Sequence, residues 1–328
     1  MEAYEKTLFE QVAQCDELPS LSDCTAENLR ELTARKGIDF ATGTLYERVL
    51  RSTQHKEFIQ QVDAFAEANE RPASLDAALV IVPGAFYHEF PHTGADGRLV
   101  REAAKSLGCR CEMIPISGMG MLAENAQVIC DWLVRNSDKQ IILVSISKGG
   151  SDVKKALAHQ DAGIAFRRVA AWVNVCGILE GTPLVDWLLA SQWKNQLYKL
   201  MFAVRGYRSE FMYELARGPG SPLDFPLRLP PHVRLASLIG FPLEHHTHNR
   251  LARSCHERLA SNGPNDGNVL LADVCKLPGS LYPVWGADHY LQPERSVQRL
   301  LEAVLRYLGS ELSCAKSDSP EVITANER

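Results

Sequence analysis

The residue best placed to act as a nucleophile is Ser147, in the run Ile141-Ile-Leu-Val-Ser-Ile-Ser-Lys-Gly-Gly150. Ile141–Val144 is continuously apolar and mostly β-branched, which predicts a strand buried on both faces, and Asp152–Ala158 reads as helix. A strand that turns abruptly into a helix forces its apex residue into a strained backbone, and small residues two before and two after leave room for the turn. Ser145 and Gly149 hold those places around Ser147. The pattern is Ser-x-Ser-x-Gly, one substitution from the Gly-x-Ser-x-Gly turn that exposes a nucleophilic serine.

A serine hydroxyl is a weak nucleophile at neutral pH and needs a base, usually a histidine, oriented by a carboxylate. Trp285-Gly286-Ala287-Asp288-His289 follows the last strand of the pattern and precedes the last helix, placing His289 at the same sheet edge as Ser147. Asn265-Asp266-Gly267 lies in the preceding loop, and Asp266 is the first choice of acid, although Asn-Asp-Gly is also a common reverse turn. Asp273 could end a short strand and stays a competitor. Asp288 adjoins His289, and neighbours on an extended chain diverge, which disfavours it.

Three other motifs point to metals or to different serine chemistry. His88-Glu89-Phe90-Pro91-His92 matches the zinc pattern His-Glu-x-x-His, but that chemistry needs both histidines on one helical face. Pro91 inside the turn costs about 3 kcal/mol or more. Ser145-Ile146-Ser147-Lys148 fits Ser-x-x-Lys, yet a strand precedes it and no Lys-Thr-Gly follows. His245-His246-Thr247-His248 lacks cysteines or a spaced carboxylate and reads as solvated histidines at a helix start. No metal or cofactor is expected.

The elements that must position these residues begin at Ala77. Strands are expected at Ala77–Pro83, Cys109–Ile116, Ile141–Ile146, Val169–Cys176, Val233–Ile239 and Ser280–Trp285. Helices alternate with them at Leu99–Ser106, Leu122–Arg135, after Ser147, around Asn249–Leu259 and at Glu294–Leu308. Such alternation predicts an α/β fold with a mainly parallel sheet and helices on both faces, whose ligands collect at the carboxyl ends of the strands. Residues 1–75 carry helical spacing and form an N-terminal helical extension to the core, 76–312. An insertion at about 178–231 has apolar positions Trp193, Leu197, Leu200, Met201 and Val204 at helical spacing. It forms either a cap over the strand ends or an extra helical layer. Residues 313–328 are polar and aperiodic, as in a disordered tail.

Composition narrows the classes. The 328 residues carry a formal charge of −5, so no basic field argues for nucleic acid. Nine scattered cysteines, an odd number mostly in apolar segments, fit a reduced compartment, and with no signal-like start the expected location is cytoplasmic. No apolar run approaches the ~18 residues of a transmembrane helix. Oligomeric state is not legible.

The chain order Ser147, Asp266, His289, with the segments SISKG, NDG, GADH and PGAF, resembles the α/β-hydrolase superfamily, especially its lipase and esterase branches with capped active sites. The resemblance covers roughly Ala77–Leu308 and departs from the family at two places: Ser145 stands for glycine, and Pro83-Gly84 stands where His-Gly is usual. It implies acyl transfer through Ser147, His289 and Asp266 on a small-molecule ester or acyl substrate, apolar if the insertion is a lid. Thioester or amide cleavage would use the same constellation, and a catalytically silent binding protein would share the fold. Gly84 permits a backbone that aims the Ala85 N–H inward as one oxyanion donor, with Phe86 as fallback, and the Lys148 N–H would be the second. Phe86, Tyr87, Trp187 and Trp193 are candidates to line the substrate pocket.

Overall fold

The computed structural model describes residues 3–68, 74–247, 250–292 and 294–317. Four helices come first: α1 (Ala3–Ala13), α2 (Ala26–Lys36), α3 (Ile38–Arg51) and α4 (Lys56–Glu67). The Thr25 hydroxyl caps α2 by accepting the Asn28 N–H, and Gly37, at φ 88, breaks α2 from α3. The alternating part then runs β1 (Ala78–Val82), α5 (Arg98–Ser106), β2 (Cys111–Met113), α6 (Leu122–Arg135), β3 (Ile141–Ile146), α7 (Lys148–Leu157), α8 (Ala162–Ala165) and β4 (Val169–Val175). It continues with α9 (Pro183–Leu189), α10 (Gln192–Val204), β5 (Arg234–Phe241), α11 (Arg250–Leu259), α12 (Leu271–Val274), β6 (Ser280–Trp285) and α13 (Glu294–Ser317).

The six strands form one parallel sheet in the order β2-β1-β3-β4-β5-β6, with helices on both faces. Buried parallel strands read as unbroken apolar runs, which is why each expected strand lies close to an observed one. β2 is the exception in length, three residues where eight were expected. It is an edge strand, and Pro115 beyond it has no N–H to continue a ladder. Since β1 sits between β2 and β3, sheet growth reverses between β1 and β3. A ligand crevice is expected at the carboxyl ends of that pair.

The N-terminal helices share the core of the sheet. Leu8, Val12, Leu45, Phe58 and Val62 belong to one contiguous buried cluster with the β strands. α3 and α4 pack on β6, α4 also packs on α13, and the Tyr46 ring meets Trp285 at 4.6 Å and Phe241 at 5.7 Å. A sheet edge covered in this way offers no template for pairing with another chain. At the other end of the chain, helix α13 runs through Ser317, which corrects the expectation of a disordered tail from Ser313. Leu308 and Leu312 remain buried there, so the helix has a reason to continue. Residues 318–328, and His248 of the histidine run, lie outside the described residues.

The insertion builds a second, smaller cluster in which Val185, Tyr198, Phe202, Phe211, Leu215 and Leu223 bury against Leu122. Ala85 and Phe86, just past β1, pack against the same cluster. Its two ends are tied by Lys154, wholly buried on α7, whose ammonium donates to the Leu179 carbonyl (2.8 Å) and the Leu223 carbonyl (2.9 Å) and pairs with Glu180 (2.8 Å).

Two outcomes follow from the fused core. Deleting residues 3–68 strips α13 and β6 of their apolar cover, so the remainder is expected to be insoluble or to lose cooperative thermal unfolding; a soluble, cooperatively melting remainder would contradict the shared core. His55 is buried against β6, where its Nδ1 accepts the Leu281 N–H, and burial holds its pKa down at about 4. The unfolded chain takes up the proton near pH 6.5 and the folded chain only near 4, so this group's contribution is present at neutral pH and lost as pH falls through that window. His55→Gln is expected to flatten the decline of urea-measured stability between those values.

Candidate active site

Ser147 sits at the junction of β3 and α7 with φ 51 and ψ −119, a region that non-glycine residues occupy only under constraint. Its N–H donates to the Val175 carbonyl (3.0 Å), and its own carbonyl accepts from Gly150 (3.0 Å) and Ile178 (3.1 Å). Gly149 is forced: a Cβ there would lie 2.4 Å from the Val82 carbonyl oxygen and 2.7 Å from that of Pro83. The other three non-glycine residues at positive φ among those described are Phe86, Cys176 and Leu291. They follow β1, β4 and the loop that carries His289, so the backbone strain gathers at one end of the sheet.

The side chains there connect. The Ser147 Oγ lies 2.9 Å from His289 Nε2, and His289 Nδ1 lies 2.8 Å from Asp266 Oδ2. Asp266 is wholly buried, and its other carboxylate oxygen accepts the N–H groups of Asn268 and Val269 at 2.8 Å each. The Asp266 carbonyl also accepts the His289 N–H (2.8 Å), so backbone and side chain hold the imidazole together. The two rival carboxylates are engaged elsewhere. Asp273 grips the Arg217 guanidinium with both oxygens, at 2.7 and 2.9 Å, anchoring the end of the insertion. Asp288 accepts the Tyr290 N–H, and burial raises its pKa.

The amides of Ala85, Phe86 and Lys148 have no protein hydrogen-bond partner among the described residues, so each is free to donate to a ligand. Gly84 lies against the nucleophile: a Cβ on it would stand 3.4 Å from the Ser147 Cβ. The Lys148 side chain is only 1% exposed and forms a buried ion pair with Asp152, at 2.8 and 3.0 Å, one helical turn on. Burial pushes the Asp152 pKa up to about 6 against the pull of that lysine. Ser145 is wholly buried, and its hydroxyl accepts the Trp172 indole N–H (2.8 Å) and donates to Asn174 (3.2 Å). A serine stands where the pattern has glycine because β4 presents it with two polar partners.

The expected pocket residues are dispersed. The Phe86 ring packs among Phe90, Phe202, Tyr207 and Phe211 at 5.5 to 6.4 Å, joining the turn after β1 to the insertion. Tyr87 is buried and donates its hydroxyl to the Ile116 carbonyl (2.8 Å). Trp187 lies between the Lys194 ammonium and the Arg258 guanidinium, each 3.8 Å from its ring. Trp193 is 73% exposed, because α10 turns Tyr198 and Phe202 inward and Trp193 to the opposite side. The cavity beside His289 is different and small, about 50 Å³, lined by Ile146, Val175, Cys176, Leu238, Leu291 and Val297. Nothing in the sequence singled out these residues, since they belong to ordinary apolar runs. Cys176 also brings its Sγ within 4.8 Å of the Asp266 and His289 ligand atoms, and burial holds that thiol well above its usual pKa. His88 and His92 are exposed, in a turn and a short 3-10 helix, so no α-helix brings them to one face.

No protein-family model and no curated protein matches the chain. Solved structures do. A metagenomic carboxyl esterase aligns with a TM-score of 0.54 at 23% identity, over 73% of this chain and 77% of that one. The mature form of a Bacillus licheniformis lipase aligns with a TM-score of 0.51 at 20% identity, over 76% of this chain and 96% of that one. The fold is that of the α/β-hydrolases. Within that fold the turn after β3 and the loop after β6 converge at the crevice where the strand order reverses.

Ser145→Gly would complete the Gly-x-Ser-x-Gly pattern, yet it strands the buried Trp172 N–H. Urea unfolding is expected to show a loss of about 1–3 kcal/mol, and an unchanged midpoint would contradict a structural role for this hydroxyl.

Proposed function

We propose that the chain is a serine hydrolase that cleaves carboxylic esters by acyl transfer. What carries this reading is the unbroken hydrogen-bonded line from Ser147 through His289 to Asp266, at 2.9 and 2.8 Å. A hydroxyl, an imidazole and a carboxylate in that order are a nucleophile, a general base and an orienting acid. His289 Nε2 takes the Ser147 proton as Oγ attacks the ester carbonyl, and Asp266 holds the Nδ1–H tautomer and stabilises the imidazolium. The Ala85 and Lys148 amides receive the developing oxyanion, and both are otherwise unpaired among the described residues. The imidazolium then protonates the departing alcohol, and a water activated by the same imidazole releases the acyl group. The chemistry calls on no metal or cofactor.

The aromatic packing of Phe86 with Phe202 and Phe211, one residue past Ala85, supports an apolar substrate portion. The insertion, tied down by Lys154 and Arg217, serves as the cap. Nine free thiols suit a reducing, cytoplasmic setting.

A fluorophosphonate probe is expected to label the folded protein and to fail on Ser147→Ala; labelling that survives the substitution would remove Ser147 from the role. Asp266→Asn is expected to lower kcat by about 10³- to 10⁴-fold with the fold intact. Asp273→Asn, which frees Arg217, is expected to lower stability far more than kcat, and the opposite ranking would reassign the acid.

A further inference from the structure

Helix α10 is apolar on two opposite sides. Its inner side buries Tyr198 and Phe202 against Phe86 and Phe211. Its outer side holds Trp193, Leu197, Leu200, Met201 and Val204, exposed by 73, 44, 61, 43 and 79%. At ~100° per residue these five fall within an arc of roughly 100° on the helix surface, a stripe about 17 Å long. One flank is cationic: Lys194 and Arg205 lie beside the Met201 edge of the stripe, whereas Lys199 lies on the far side of the helix over the Tyr213 ring. From Trp187 to Ser209 the chain has four basic residues, Lys194, Lys199, Arg205 and Arg208, and no acidic one, within a protein of net charge −5. Arg208 pairs with Glu124, while Lys194, Lys199 and Arg205 form no ion pair among the described residues.

We propose that α10 docks the protein peripherally on an anionic phospholipid surface. An apolar stripe carrying a tryptophan and bordered by lysine and arginine is what a helix lying in a headgroup interface requires. The stripe enters the acyl boundary, and the flanking cations meet lipid phosphates. The charge also favours an anionic surface over a second copy of the chain, because an antiparallel symmetric pairing would set the cationic edges of the two helices against one another. No helix among the described residues is long and apolar enough to cross a membrane, so the contact is with the surface alone. The inner side of α10 is locked by Phe202 on Phe86, one residue from the Ala85 turn. Docking therefore requires no opening of the insertion. The inference stands apart from ester cleavage, since binding alone tests it.

The test is co-sedimentation of the full chain with phosphatidylcholine vesicles and with vesicles of phosphatidylcholine and phosphatidylglycerol. Binding is expected to favour the mixed vesicles by at least about tenfold and to weaken at high salt. The Leu197→Ser/Leu200→Ser/Val204→Ser variant is expected to lose binding to both. The Lys194→Gln/Lys199→Gln/Arg205→Gln variant is expected to lose only the preference for the anionic lipid. All six positions lie outside both buried clusters, and thermal unfolding checks that each variant is folded. Equal binding to the two vesicle types, no binding to either, or unchanged binding by the serine variant would overturn the proposal. So would a dimer, seen by sedimentation velocity, that the serine variant dissolves, because the stripe would then belong to a second copy.

Discussion

The site rests on one strained peptide unit. A serine at φ 51 costs about 1–3 kcal/mol relative to a relaxed backbone, and it persists only when its surroundings leave it no alternative. Here the surroundings are specific. β4 takes the Ser147 N–H, the first turn of α7 and the chain after β4 take its carbonyl, and β1 leaves room above it only for glycine at position 149. Because β1, β3 and β4 are adjacent in the sheet, the turn inherits its rigidity from the central strands, and the hydroxyl is presented outward as a consequence. Phe86 and Cys176 carry the same kind of strain after β1 and β4.

Around this point the chain invests buried charge. Lys148 pairs with Asp152 on the first turn of α7, and Lys154 ties together the two ends of the insertion. A buried ion pair contributes little net stability compared with apolar packing, yet removing one partner strands the other. Such contacts specify geometry more than they stabilise. One lysine fixes the start of α7 behind the nucleophile, and the other fixes the base of the insertion.

Most of the sheet was legible because strands buried on both faces announce themselves as apolar runs, and β3 through β6 lie close to where the residue pattern puts them. The order of serine, aspartate and histidine was legible because it needs only chain order and loop positions. Loop position puts Asp266 first among the carboxylates without removing Asp273. Asp273 is occupied by an arginine 56 residues away, and local sequence contains no trace of that partner. Trp193 misled for a related reason: helical periodicity shows that α10 has an apolar stripe but not which of its two apolar sides faces the protein. The N-terminal helices read as an appendage because their spacing is amphipathic. Only the contacts of Tyr46 and Phe58 with Trp285 and Tyr307 reveal that their apolar faces complete the core. Ser145 looked like a flaw in the turn and is a partner for Trp172, a contact made across two neighbouring strands.

The central claim is that Ser147 forms the covalent bond to the acyl group. It is tested most directly by acid-quenching the protein during turnover of a short-chain nitrophenyl ester and locating the acyl adduct by tandem mass spectrometry. The expected result is a pre-steady-state burst, with the adduct on the tryptic peptide Gln140–Lys148 at Ser147. Turnover with the adduct on another residue, or with none formed, would contradict it.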